Sequence, residues 1–477
     1  MRVAFAVIAV GLLTGCASYT EQTRDARQAL TAGEHERAIA SLNEQLDVEE
    51  LDEPPANLDD EKALLLLERA TLLQALGRYD AASRDMIAVD DRFEWLDLGR
   101  DTADNILRYL YTDDAGPYRA PPHERLLLNT MNMINFMARG HYQSARVEAR
   151  RFNLLQTHFL DDDSAKLIPD ILGLGNYLAA AAFEASRSYD TAARYYTLAH
   201  IYGTWPEGDD DRLLDLITMT GYRGGGLGDL REDADDLLER AGERPRIDRR
   251  TYRQTHQSGD TLVVIQTGIA PYREARRISL TEALHRSRRS PYASIHIDAG
   301  TSQQAMALYS QGLVTWLNTT ELSRQGLPSR RSARLNVDDR RIRLQNPVDI
   351  GSQIEQAWDA VSSTALAAAI SRAVVRAAAG QTTRLIVREA ARQSEATEQF
   401  AGILGWLSGL FLQASLAATD TPDTRSWTSL PDDIHLVRLQ LPEGPRQLDV
   451  DIGSRRDQQQ IDVNADRFQL VNFSRLR

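Results

Sequence analysis

Four short stretches of one form set the ground plan of the N-terminal half. They are GEHERA (33–38), GRYDAA (77–82), GHYQSA (140–145) and RSYDTA (187–192). In a helix–turn–helix unit the first position closes one helix, the aromatic ring fills the space between helices, and the alanine lets two backbones approach closely. The last two copies stand 47 residues apart, an offset that also holds for Pro122/Pro169, Phe136/Phe183, Tyr142/Tyr189 and Ala145/Ala192. Each proline lies 18 residues before its turn, where it can open a helix without forfeiting a hydrogen bond. Such a period builds stacked helix pairs.

The pattern resembles the tetratricopeptide repeat over residues 20–200, with spacings of 44, 63 and 47 in place of the usual 34 or so. The resemblance implies a solenoid whose concave face docks a peptide or protein. Residues 16–240 are therefore assigned to a TPR-like helical repeat domain.

From residue 203 the character changes. GYRGGGLGD (221–229) invites a phosphate-loop reading, but no Lys-Ser/Thr follows and the next helix opens with acids. It reads as a turn or hinge. Beyond 260 the apolar period becomes two, in TLVVIQTG (261–268), YASIHIDAG (292–300), RRIRLQ (340–345) and four closely spaced segments after 433. The tail predicts an antiparallel meander, part of a β-sandwich completed by the earlier strands. Residues 352–418 read as an alanine-rich helical hairpin divided at Gly380. Its second arm, 400–418, carries no formal charge and a Gly405-x-x-x-Gly409 spacing, compatible with a membrane span. Gln413, Ser408 and Ser415 favour burial against the sheet or a partner instead. The expected class is α+β: a helical solenoid, then a β-sandwich-like domain (241–477) interrupted by the hairpin.

The N-terminus gives an address. Arg2 precedes an apolar run from Val3 to Leu13, the layout of a secretory signal too short to span a bilayer. Leu13-Thr14-Gly15-Cys16 resembles the lipobox of bacterial lipoproteins. That resemblance implies a signal peptide over 1–15, acyl chains (palmitate) on Cys16, and, with Ala17 following, lodging in the outer membrane on the periplasmic side. Cys16 is the sole cysteine, so no disulfide can form and the core alone holds the fold. Several acyl chains are needed for a durable anchor.

Charge is unevenly placed. Residues 17–240 carry 43 acidic against 23 basic side chains, whereas 273–343 carry 13 arginines against 6 acids. The periplasm excludes nucleic acid as the partner of that arginine band. Arg286, Arg288, Arg289, Arg330, Arg331 and Arg334 are the candidate partner-binding residues, facing either the acidic half or an external anion such as peptidoglycan or phospholipid headgroups.

The run Asp423-Thr424-Arg425-Ser426-Trp427, with Leu430-Pro431, Ile434 and Leu441-Pro442-x-Gly444, resembles the C-terminal block of a family of poorly characterised bacterial lipoproteins. SARVEARRFN (144–153) also fits their last helical repeat. Association of some members with activators of peptidoglycan synthases implies a class of partner. Without the family, the Trp427–Pro431 corner reads as a buried closure of the domain. No HExxH, GxSxG or Ser-x-x-Lys occurs, and DDD (161–163) and GDDDR (208–212) lack the ligand spacing of a calcium loop. No cofactor or metal is expected. The sequence points to a non-enzymatic scaffold or adaptor binding a protein partner in envelope assembly, with peptidoglycan synthesis as its setting. A lipid- or glycan-binding module, and a hydrolase with an inter-domain cleft, are the alternatives.

Overall fold

A computed structural model describes residues 19–50, 53–93, 118, 120–161, 164–206, 209–289, 299–310, 315–324, 332–389 and 422–476. The chain is a mixed α+β protein. Its N-terminal helices are α1 (Tyr19–Gln22), α2 (Arg24–Ala32), α3 (His35–Leu46), α4 (Asp60–Ala75), α5 (Tyr79–Arg92), α6 (Pro122–Ala138), α7 (Tyr142–Asp161), α8 (Pro169–Ala185) and α9 (Tyr189–Ile201). They pack as successive antiparallel pairs, α2 with α3, α4 with α5, α6 with α7 and α8 with α9, each pair against the next. Helices α10 (Asp210–Thr220), α11 (Asp235–Glu243) and α12 (Arg249–His256) extend the stack.

The four repeated turns are built alike. Gly33, Gly77, Gly140 and Arg187 all adopt the left-handed conformation, with φ of 78°, 74°, 71° and 62°. In each, the following N–H reaches back five residues: Glu34 to Ala29, Arg78 to Leu73, His141 to Phe136 and Ser188 to Phe183. These Schellman closures satisfy carbonyls that the helix end leaves open. The motif alanines Ala38, Ala82, Ala145 and Ala192 are wholly buried, and Pro122 and Pro169 open their helices. Arg187 alone pays the Cβ penalty of the left-handed region. Arg187→Gly is therefore expected to raise stability by up to about 1 kcal/mol. A lower urea midpoint for that variant would refute the reading of the turn.

The motif tyrosines differ from the expected inter-helix plugs. The Tyr142 hydroxyl donates to the Phe468 carbonyl, and its ring meets Phe468 edge-on at 5.7 Å. Tyr189 contacts Tyr252 at 5.7 Å between ring centres, and its hydroxyl bonds Gln257. Both rings fasten the helix pairs to later parts of the chain.

Ten strands follow: β1 (Asp260–Thr267), β2 (Tyr272–Ser279), β3 (Trp316–Ser323), β4 (Ala333–Val337), β5 (Arg340–Ile342), β6 (Val348–Asp349), β7 (Asp433–Gln440), β8 (Gly444–Ile452), β9 (Arg455–Val463) and β10 (Gln469–Arg475). They form sheets of order β10-β1-β7-β6, β2-β3 and β5-β4-β8-β9. The predicted tail meander is thus corrected. Of the tail strands only β8 and β9 form a hairpin; β7 joins β1 and β6, and β10 runs parallel to β1. Alternation marks a half-buried strand but does not choose its neighbour, and β1, more than 160 residues upstream, takes the place between β7 and β10. Most of the segment 292–300, read as a strand, lies outside the described residues, and Ala299 opens helix α14 (Ala299–Ser310), preceded by α13 (Leu280–Arg289).

Strand β1 is buried along its whole length, which explains its unbroken apolar run. Leu262 and Val264 face the helices and share their core with Ile434, Leu436 and Leu470. Val263 and Ile265 face the other way, joining Val437, Val471 and Phe473 against Leu335, Leu448, Val450 and Ile452 of the third sheet. The inner helices α4, α6 and α8 touch this first sheet. Gln266 of β1 links Gln74 of α4 and Asn472 of β10, each at 2.9 Å.

The expected division of the 352–418 helices at Gly380 is also corrected. Helix α15 (Ile350–Glu389) passes through Gly380 without a break. A glycine inside a helix costs about 1 kcal/mol but ends it only where a left-handed turn or proline follows. Residues 390–421, including the apolar arm 400–418, lie outside the described residues, as does Cys16. Among the described residues no helix is long and apolar enough to cross a membrane.

Candidate functional site

Two buried polar centres bind the helices to the C-terminal half. In the first, the Arg212 guanidinium donates to Glu184 (2.8 Å), Asp209 (2.9 Å), both Asp260 oxygens (3.2 Å) and the His256 carbonyl (2.6 Å). Arg438 of β7 donates to Asp260 (2.7 Å), Glu184 (3.0 Å) and the Tyr196 hydroxyl (2.7 Å). The Tyr196 and Tyr252 hydroxyls donate to Glu184, each at 2.7 Å. Burial would raise the Glu184 carboxyl, yet the two guanidiniums and these hydroxyls outweigh it and hold it at about 2. This centre joins α8, α9, α10 and α12 to β1 and β7, and its polar groups are mutually satisfied. It is a fastening.

The second centre holds the segment 422–432, buried throughout. Glu124, in the first turn of α6, accepts from the Trp427 N–H at 2.9 Å and from the Tyr118 hydroxyl. Glu68 of α4 accepts from the Thr428 N–H at 2.5 Å and the Tyr19 hydroxyl at 3.3 Å. The Trp427 indole donates to Thr71 at 2.9 Å. Asp423 and Arg425, spaced to point the same way, form a two-pronged ion pair at 2.9 Å. Desolvation raises both glutamates, Glu124 to about 7. The corner is a buried closure, as its residues led one to expect.

Beside that closure lies a cavity of about 60 Å³ where α6, α15, β2, β3 and the 422–432 segment meet. Its walls include buried Pro121, Glu124, Ile354, Val361, Trp427 and Leu430 and the partly buried His123, Leu322 and Trp358. Arg273, 5 % exposed, lines it with its guanidinium 5.6 Å from the Trp358 ring centre. Its backbone N–H is bonded to Ser426, but among the described residues the guanidinium has no hydrogen bond or ion pair. His123 is held neutral, its pKa lowered to about 3 by desolvation and then by the Arg273 charge. The chemistry on offer is one cation and one neutral imidazole in an apolar slot.

Of the arginines singled out from sequence, Arg286 and Arg334 have described side chains, and these two stand on different elements. Arg286 of α13 pairs with Glu282 and Glu321, the latter at 2.6 Å. Arg334 lies exposed on β4, opposite Asp451 in the third sheet. Arg288 and Arg289 end α13, with side chains outside the description; Arg330 and Arg331 lie outside the described residues. Arg273 falls inside the same basic band but was not separated from its neighbours, because nothing local marks which arginine is enclosed. Glu68 and Glu184 did leave a trace, as single acids in the apolar helices LLLLERATLL and YLAAAAFEA. Among the described residues no cluster of three or more metal-ligating side chains occurs.

In comparisons with known proteins, no family model, no curated protein and no solved structure matches the chain.

Proposed function

We propose that the protein is an outer-membrane lipoprotein, anchored through acyl chains on Cys16 and facing the periplasm. It acts there as a non-enzymatic binding adaptor in envelope assembly, with peptidoglycan synthesis as the setting that its DTRSW block suggests. In this reading the helix pairs are a TPR-like solenoid and the two four-stranded sheets a β-sandwich. The solenoid's inner helices pack on the chain's own first sheet, so recognition moves to the cavity beside Trp358. The observation that carries this is the enclosed, unpaired Arg273 at the cavity wall. The paired state of Arg286 favours an internal role for that member of the basic band.

Two measurements test the reading. Cys16→Ser should incorporate no radiolabelled palmitate and should leave a soluble periplasmic or an uncleaved species, because serine cannot form the thioether; persistent labelling would remove the anchor. A photo-crosslinking residue at position 358 in intact envelopes should give a discrete adduct that Arg273→Gln abolishes. An adduct indifferent to Arg273, or none, would count against the cavity as the recognition surface.

A further inference from the structure

We infer that the cavity is a receptor for a small aliphatic carboxylate. Its carboxylate sits on the Arg273 guanidinium and its hydrocarbon lies against Pro122, Leu322, Ile354 and Val361. The inference needs neither the lipid anchor nor an envelope partner.

The first argument is a comparison within the molecule. Arg69, Arg212, Arg425 and Arg438 are as enclosed as Arg273, and each holds a carboxylate. A buried cation without a counter-ion is something folded chains avoid. Arg273 is the exception in having no ion pair: Glu124, the acid sharing its cavity, feels its charge but is not bonded to it among the described residues. The Glu124 oxygens are engaged by Trp427 and Tyr118, and no ion pair joins it to Arg273. An anion from outside completes the site.

The second argument is the anion's form. A guanidinium backed by an indole face presents its donor edge, which matches the two oxygens of a carboxylate. One cation beside a partly ionised Glu124 suits a single negative charge and disfavours a phosphate dianion. His123, neutral, is available to donate one further hydrogen bond.

The third is size. A water centre needs roughly 10–15 Å³ of such space, so a cavity of about 60 Å³ takes a group of about four to six heavy atoms. The four-carbon hydrocarbon of isovalerate stays within that limit, and so does the side chain of a C-terminal valine or leucine, with the carboxylate at the Arg273 wall. These two sources share the chemistry and are separated by the test.

Full-length protein in a non-ionic detergent would be titrated calorimetrically with isovalerate and isovaleramide, and with acetyl-Ala-Leu bearing a free or amidated C-terminus. At least one acid should bind, with its amide weaker by tenfold or more. Arg273→Gln should weaken it to the same degree, and Val361→Trp, which fills the slot, should abolish it. Should Arg273→Gln fail to fold, judged by near-ultraviolet circular dichroism, the acid-to-amide ratio and Val361→Trp still decide. Binding by the peptide acid alone assigns the site to chain termini, and by isovalerate alone to free acids; either supports the inference. Equal affinity for acid and amide, binding unaffected by Val361→Trp, or no binding of either acid at millimolar concentration would overturn it.

Discussion

Glu184→Ala is expected to destabilise the protein by about 3–5 kcal/mol, because it removes one partner from a buried ion network and strands the rest. Glu184 accepts from Arg212, Arg438, Tyr196 and Tyr252. Without it, two guanidiniums in a dry interior share only Asp260 and, on the Arg212 side, Asp209. The effect should depend on pH in a definite direction. The folded pKa of about 2 lies below the ordinary 4.5, so the ionised carboxylate's contribution is complete above about pH 4.5 and fades as pH falls toward 2. Urea midpoints of the two proteins should therefore lie far apart at pH 7 and converge on acidification. A loss below about 1 kcal/mol, the scale of one ordinary hydrogen bond, would mean the network is not what joins helices to sheet.

That network shows where sequence reading stops. The repeated turns were legible because each is closed by bonds spanning five residues, so six letters carry the whole instruction. Even Arg187 in the glycine position obeyed the turn, since the alanine and proline marks around it agree. The strands after 433 were legible as strands for the same local reason. Their partners were not: β7 is flanked by β1 and β6, and nothing in HLVRLQ names either. Gly380 misled because a weak helix residue is not a stop signal when helix formers continue on both sides. Arg212 sits in the acidic run GDDDR, which carries no ligand spacing of its own, and the Glu184 and Asp260 carboxylates that hold it come from distant positions. The Asp423–Arg425 pair and the burial of Trp427 were visible in outline. The carboxylates that receive the Trp427 and Thr428 N–H groups lie about 300 residues away or more. Arg273 could be recognised only by what its surroundings lack.

Glu124→Gln is expected to behave in the opposite sense to Glu184→Ala, although both remove a buried carboxylate. Burial lifts the Glu124 pKa to about 7, with the Tyr118 hydroxyl, the Trp427 N–H and the Arg273 charge offsetting only part of the desolvation. The folded protein thus holds this proton more tightly than the unfolded chain, and stability falls as pH rises from about 4.5 to 7 before levelling off. At 1.36 kcal/mol per unit, the ionised group costs up to about 3 kcal/mol at pH 8. Glutamine keeps the oxygen that receives Trp427 and places its NH₂ where the Tyr118 oxygen can accept. The variant should match wild type near pH 4.5 and exceed it at pH 8, with a flatter dependence between. Glu68, also raised by burial and holding the adjacent Thr428, adds a slope of the same sign to both proteins and leaves their difference intact. Parallel stability curves, or a glutamine variant weaker at pH 8, would show that the ionised carboxylate is needed to hold Trp427 in place. The closure of the domain would then depend on the charge of Glu124 and not merely on its shape.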